Sequence, residues 1–177
     1  MEDELFVPPF TAVELDINRA DVFITQDTFY RIRVEGQQNI INLIETDTDG
    51  GLWRIEFDGA ARKFDRLKFF ITMPEISALI NRSNGGGDIT GLNSIVTNDI
   101  FVENFGNGNI QLSIASANKV ETRINGAGDV FLDGQCNTHN IFVEGAGDLR
   151  AFNLFANVCL IKTLGGGDSE IYAEDLF

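Results

Sequence analysis

Gly-x-Gly followed by Asp or Asn occurs five times in this chain, as Gly85-Gly86-Gly87-Asp88, Gly106-Asn107-Gly108-Asn109, Gly126-Ala127-Gly128-Asp129, Gly145-Ala146-Gly147-Asp148 and Gly165-Gly166-Gly167-Asp168. Successive starts lie 21, 20, 19 and 20 residues apart. One Gly-rich turn carries little information, but five at a near-constant interval mark a structural repeat. A unit this short cannot bury an apolar face alone, so the repeat requires neighbouring units to stack.

Aligned on the first glycine, the units show what stacks. Four residues later stand Ile89, Ile110, Val130, Leu149 and Ser169, and six later Gly91, Leu112, Leu132, Ala151 and Ile171. The position between them holds Thr90, Gln111, Phe131, Arg150 and Glu170. Apolar, polar, apolar is a period of two, the signature of a strand with one buried face. A second strand precedes the turn, with Ile100, Val120, His139 and Cys159 six residues before it and Val102, Thr122, Ile141 and Ile161 four before it. Nine residues before the turn, the small side chains Thr97, Ala117, Cys136 and Ala156 suit a tight corner. Two short strands per unit predict an all-β parallel solenoid. At ~4.8 Å between hydrogen-bonded strands, five coils make a prism about 24 Å tall. At the corners, positive φ and close approach between coils would both exclude a Cβ.

Residues 1–75 lack the glycine mark but keep short alternating segments at Val13 to Ile17, Val22 to Thr25, Tyr30 to Val34 and Leu52 to Phe57. Asp47-Thr48-Asp49-Gly50-Gly51 is a turn between two of these, and Leu67, Phe69 and Ile71 begin another strand ahead of Met73-Pro74. No long helix is expected. Residues 1–177 are read as one domain, with residues 76–177 carrying the repeats.

The net charge of −14 opposes binding to a phosphate polymer or an anionic membrane surface. Basic residues cluster locally only at Arg62-Lys63 and Arg66-Lys68, read as the solvated edge of a turn, so nucleic acid is not expected as a partner. No apolar run approaches the length of a membrane span, and Met1-Glu2-Asp3-Glu4 is acidic where a secretory signal begins basic. Cys136 and Cys159 are too few for a disulfide framework or a metal site. Falling in two different columns, they read as two buried thiols.

The segments Phe10 to Ile17, Asp21 to Gln26 and Leu67 to Pro74, followed by the Gly-x-Gly-Asp series, resemble the head GIN domain, or auto-transporter adhesin, family over essentially the whole chain. The resemblance implies a right-handed parallel β-helix with a pectin-lyase-like shape. It also implies a bacterial cell-envelope location and a role in adhesion, with protein or glycan at the cell surface as partner. The last unit departs from the pattern at Ser169, and the chain ends at Leu176-Phe177, so the C-terminal coil is a candidate self-association edge.

Stacking places Asp88, Asn109, Asp129, Asp148 and Asp168 in one line. The line reads as turn chemistry, with side chains accepting backbone N–H bonds in their own turns, or as a ladder of cation ligands. The single histidine, His139, shares its column with Ile100 and Val120 and reads as a core residue rather than a catalytic base. Among outward positions, Phe101 and Leu160 share one column, Phe142 lies in the next, and Phe105 and Leu164 in a third. They form a candidate partner surface unless the N-terminal strands cover them. No catalytic constellation, metal site or cofactor emerges. The leading reading is a non-enzymatic binding module. A carbohydrate-active enzyme, with Asp148 and Arg150 or Arg123 and Lys162 as its charged groups, is the alternative, and a purely structural stacking unit is the third.

Overall fold

A computed structural model describes residues 1–61 and 63–177. Arg62 lies outside the described residues, whereas Lys63, Arg66 and Lys68 are exposed as expected of a solvated edge. In chain order the elements are β1 (Glu2–Leu5), β2 (Ala12–Leu15), β3 (Ala20–Gln26), β4 (Arg31–Glu35), α1 (Gln38–Ile41), β5 (Thr48–Asp49), β6 (Leu52–Ile55), β7 (Leu67–Met73), β8 (Ala78–Asn81), β9 (Ile89–Val96), β10 (Asp99–Asn104), β11 (Ile110–Ile124), β12 (Val130–Val143), β13 (Leu149–Thr163) and β14 (Ser169–Leu176). All fourteen strands belong to one sheet, curled into a β-solenoid of about five turns.

From β8 onward the coils follow the chain. The long strands β11, β12 and β13 each serve two sides of the solenoid. Ile110 to Ile114 of β11 pair with β9, while Lys119 to Ile124 pair one for one with Asp99 to Asn104 of β10. Between them the register shifts from Ile114 to Ala117. There Ala117 faces Cys136, which faces Ala156, so the small column does stand at a corner. The predicted inward columns are buried: Ile89, Ile110, Val130 and Leu149 on one side, Ile100, Val120, His139 and Cys159 on the other.

The N-terminal strands join out of sequence order. β2 lies between β8 and β6, and β3 lies between β9 and β7. The coil formed by residues 12–26 is thus sandwiched between those formed by residues 52–73 and residues 78–96. Beyond β7 the pairing turns antiparallel, through β4 and then β1, and β5 returns on β6 as a hairpin. The parallel solenoid expected from the repeat is therefore present, and antiparallel pairing is confined to its N-terminal end. Antiparallel strands need only short connections, so they extend and close the end of a sheet without another full coil. The core at this end is sealed by Ile40 and Ile41 of α1 and by large rings. Phe10 packs 5.5 Å from Trp53, whose indole N–H donates to the Glu45 carbonyl at 3.0 Å.

Close approach, not unusual φ, explains most of the repeated glycines. A Cβ on Gly108 would fall on the carbonyl of Gly87, one on Gly128 on that of Gly108, and one on Gly147 on that of Gly128. Within the motifs only Gly86 has a positive φ, at 78°. Two buried asparagines hold the early turns: Asn81 donates to the Gly87 carbonyl at 2.7 Å, and Asn104 to the Gly108 carbonyl at 2.8 Å. Their Oδ1 atoms accept from the Ser83 and Gly106 N–H groups. Further along the same column Ile124 and Val143 replace them, so the later turns lack this asparagine brace.

His139 is 1% exposed and lies 2.9 Å from the Thr122 hydroxyl. Both cysteines are buried free thiols. Desolvation pushes the His139 imidazole down to about 4. The unfolded chain therefore takes up this proton first as pH falls, and the fold loses stability between about pH 6.5 and pH 4, by up to about 3 kcal/mol. We expect His139→Val, which matches Val120 in the preceding coil, to show a flatter fall in Tm than the parent over that window, apart from a pH-independent loss at Thr122. Parallel Tm curves would mean the histidine carries no such penalty. The glycine stack has its own test. Gly147→Ala is expected to cost about 2–4 kcal/mol through backbone overpacking. Gly166→Ala, at an exposed glycine whose Cβ would meet nothing within 4 Å, should stay within about 1 kcal/mol of neutral in chemical denaturation.

Candidate binding faces

The side built from β2, β6, β8, β10 and the second halves of β11 to β13 carries the outward aromatic residues. Register sets three parallel columns across it. Phe101, Glu121, Asn140 and Leu160 form one, and Glu103, Arg123, Phe142 and Lys162 the next. Phe105, Asn125, Glu144 and Leu164 continue into the turns as the third. Most of these residues line an open groove of about 880 Å³.

Of the residues expected to form the patch, Phe105, Phe142 and Leu160 line this groove, and Phe101 sits at its border beneath Arg123. Leu164 is 62% exposed and stands apart from the groove lining. The N-terminal strands do not cover the face, because they stack at one end of the solenoid. Cations from neighbouring coils lie over the rings instead. The Arg82 guanidinium is 4.2 Å above Phe105, Arg123 is 5.2 Å from Phe101, and Lys162 is 5.4 Å from Phe142. Each such contact contributes roughly 0.5–1 kcal/mol at an exposed site and covers one face of the ring. Arg82 is itself positioned by the buried Glu14 carboxylate, which it meets at 2.9 Å while Arg54 holds the other oxygen at 2.6 Å.

The groove floor mixes charge with orphan polarity. Arg123 pairs with Glu121 at 2.7 Å. Glu103, 7% exposed, accepts from Asn125 Nδ2 at 3.3 Å, and burial pushes its carboxyl above the ordinary range against the opposing pull of Arg82 and Arg123. The Oδ1 atoms of Asn125 and Asn140 are buried without a hydrogen-bond partner. Phe177 also lines this groove. It continues β14 alongside β13, its N–H donating to the Cys159 carbonyl at 2.9 Å and its carbonyl accepting from Ile161 at 3.1 Å. Leu176 and Phe177 are both exposed.

The acidic line is a hydrogen-bonded ladder, but its bonds run between coils and not within each turn. Oδ1 of Asp88 accepts from the Asn109 N–H at 2.7 Å, Asn109 from Asp129 at 2.9 Å, Asp129 from Asp148 at 2.8 Å, and Asp148 from Asp168 at 2.9 Å. Asp21 begins the ladder by accepting from the Asp88 N–H at 3.2 Å, a member invisible in sequence because its coil lacks the glycine mark. Among the described residues no three His, Cys, Asp or Glu side chains converge closely enough to hold a metal ion. Each rung needs one oxygen acceptor and no charge, which is why Asn109 fits. Asp148 and Arg150, weighed as charged partners, do pair at 3.2 Å, on an exposed edge.

One column went unrecognised in the sequence. Asn98, Asn118, Asn137 and Asn157 follow directly on Thr97, Ala117, Cys136 and Ala156, at intervals of 20, 19 and 20 residues. The periodicity that revealed the glycines was enough to find it.

A family model described as "putative auto-transporter adhesin, head GIN domain" matches residues 9–176. None of the curated proteins matches the chain. Among solved structures, a putative adhesin from Bacteroides fragilis superposes with a TM-score of 0.87 at 24% identity, over 96% of this chain and 78% of that one. A putative adhesin from Parabacteroides merdae gives 0.72 at 15% identity, over 96% and 79%. A putative lipid binding protein from Parabacteroides distasonis gives 0.71 at 16% identity, over 90% and 76%. At these identities the likeness establishes the shared fold.

The inter-coil ladder predicts unequal responses at one rung. Asp129→Asn keeps the acceptor and should leave Tm nearly unchanged, whereas Asp129→Ala strands the Asp148 N–H and should cost about 1–2 kcal/mol. Chelator should shift neither protein. A Tm that falls in chelator and returns with calcium would identify the line as a cation site.

Proposed function

Because the chain belongs to the head GIN domain family of putative auto-transporter adhesins, we propose that it is a non-enzymatic binding module of the cell envelope, using its groove-bearing face to hold a surface protein. The observation that carries this reading is the groove beside Phe105, Phe142 and Leu160, in which exposed apolar groups alternate with paired charges. Protein interfaces favour aromatic residues and Arg at their centre with polar groups around them, and this face has that composition. The solenoid holds Phe142 and Leu160 on strands rather than loops, which limits the entropy lost on association. The orphan carbonyls of Asn125 and Asn140 add acceptors that a partner's donors would satisfy on a small rotation.

The alternative of a carbohydrate-active enzyme draws support from Glu103 alone, a buried carboxyl held above its usual range. Glu121, another carboxylate in the groove, is taken up by its ion pair with Arg123 at 2.7 Å, so the binding reading is preferred.

Immobilised mucin, fibronectin, laminin and collagen provide the test. Saturable binding to at least one is expected, weakened about tenfold, or ~1.4 kcal/mol, by Phe142→Ala or Lys162→Ala. Phe131→Ala, on the opposite side, should bind like the parent. Failure to bind any of the four, or equal losses from both sides, would count against the groove. Release of an unsaturated product from an acidic polysaccharide would replace the binding reading with the enzymatic one.

A further inference from the structure

The asparagine column borders a second groove, of about 450 Å³, on the corner between the two sides. Here the amides form a ladder: Nδ2 of Asn157 donates to Oδ1 of Asn137 at 3.2 Å, and Nδ2 of Asn137 to Oδ1 of Asn118 at 3.3 Å. Asn118 donates in turn to the Asp99 carboxylate at 3.3 Å, which ends the run. A primary amide has two N–H donors and an oxygen with two lone pairs. Asn118 and Asn137 each use one donor and one acceptor along the ladder, Asn157 uses one donor, and the remaining groups face solvent, so the exposed column repeats a donor beside an acceptor at the coil spacing of ~4.8 Å.

The chemistry of the lining is selective. The chain has 27 Asp and Glu and 13 Lys and Arg, yet none of them lines this groove. Its walls are amides, the Ser116 and Thr97 hydroxyls, the Gln135 side chain and one ring, Phe155. The Cys136 thiol in its floor stays neutral, since burial and then neighbouring Cys159 push it up to about 11. Phe155 is held by Tyr172 at 5.5 Å, which in turn meets Phe152 at 6.0 Å. The result is an aromatic surface at the end of the amide column.

From this arrangement we propose that the corner groove is a second binding site, for a neutral oligosaccharide. Sugar hydroxyls both donate and accept, as each amide does, and a ring's C–H face packs on an aromatic side chain. An ionic ligand would find no counter-charge among the lining residues, whereas a neutral polyhydroxyl ligand can exchange hydrogen bonds with the amides. The ladder also holds the amides in place before binding, which lowers the ordering cost. The site is separate from the face assigned to a protein partner, and the two can fail independently.

The test is an NMR titration that follows the side-chain amide signals of Asn118, Asn137 and Asn157. The probes are linear hexasaccharides of β-linked glucose, β-linked N-acetylglucosamine and β-linked mannose, with a galacturonate hexasaccharide as the charged control. We expect at least one neutral probe to shift these signals saturably and the charged control to leave them in place. Phe155→Ala, which leaves every rung of the ladder intact, should weaken that binding about tenfold. Phe142→Ala, on the other face, should not alter it. No shift with any neutral probe up to ~10 mM, or an equal shift with the galacturonate probe, would overturn the proposal and leave the ladder a purely structural brace.

Discussion

Each coil that carries the glycine mark is held against its neighbour by backbone meeting backbone at the glycine corner. Gly106, Gly126 and Gly145 expose carbonyls that accept N–H bonds from the following turn, as in Ala127 and Gly128 to Gly106, or Ala146 and Gly147 to Gly126. That approach leaves no room for a Cβ, and it sets the height at which each new strand begins. Strand register on both sides follows from it, because the residues flanking a corner have no freedom to slide. The inward columns then align without further specification.

The same constraint shapes the outer surface. Once register is locked, any residue type recurring at one place in the repeat becomes a line on the outside of the solenoid. Asp and Asn beside the corner become a ladder that ties coils together through backbone N–H groups. Asparagines on the third corner become a row of amides, and the mixed residues of the flat side become a groove in which cations cover aromatic rings. Function on such a scaffold lies in the columns that are not needed for stacking. The groove on the flat side shows least repetition, with Phe101, Glu121, Asn140 and Leu160 in a single column. Irregularity of this kind gives a surface of mixed chemistry, whereas a uniform column repeats a single contact.

The N-terminal end obeys a different rule. Residues 12–26 form an internal coil, inserted between levels contributed by later sequence, and antiparallel strands with a four-residue helix finish the core. Aromatic residues concentrate here because an end must cover a cross-section of core with side chains rather than with a further coil. Phe10, Trp53 and Phe69 are fully buried at this end, and Tyr30 closes over Phe10 with its hydroxyl donating to the Phe10 carbonyl at 3.1 Å.

Sequence alone determined the repeat, the strand periodicity, the inward columns and the identity of His139 and Cys136 as core residues, because each depends only on spacing along the chain. It also placed Phe101 with Leu160 and Phe105 with Leu164 in shared outward columns. It could not determine the order of the coils at residues 12–26 and 52–73, since strands without the glycine mark carry no address for their neighbours. Only the tertiary structure decided that the acidic line bonds across coils, that Asp21 joins it, that Arg82, Arg123 and Lys162 cover the rings, and that Leu164 falls outside the groove. Those outcomes depend on distances between residues about 20 or more apart in sequence, fixed by backbone contact at the corners and by no property of the residues themselves.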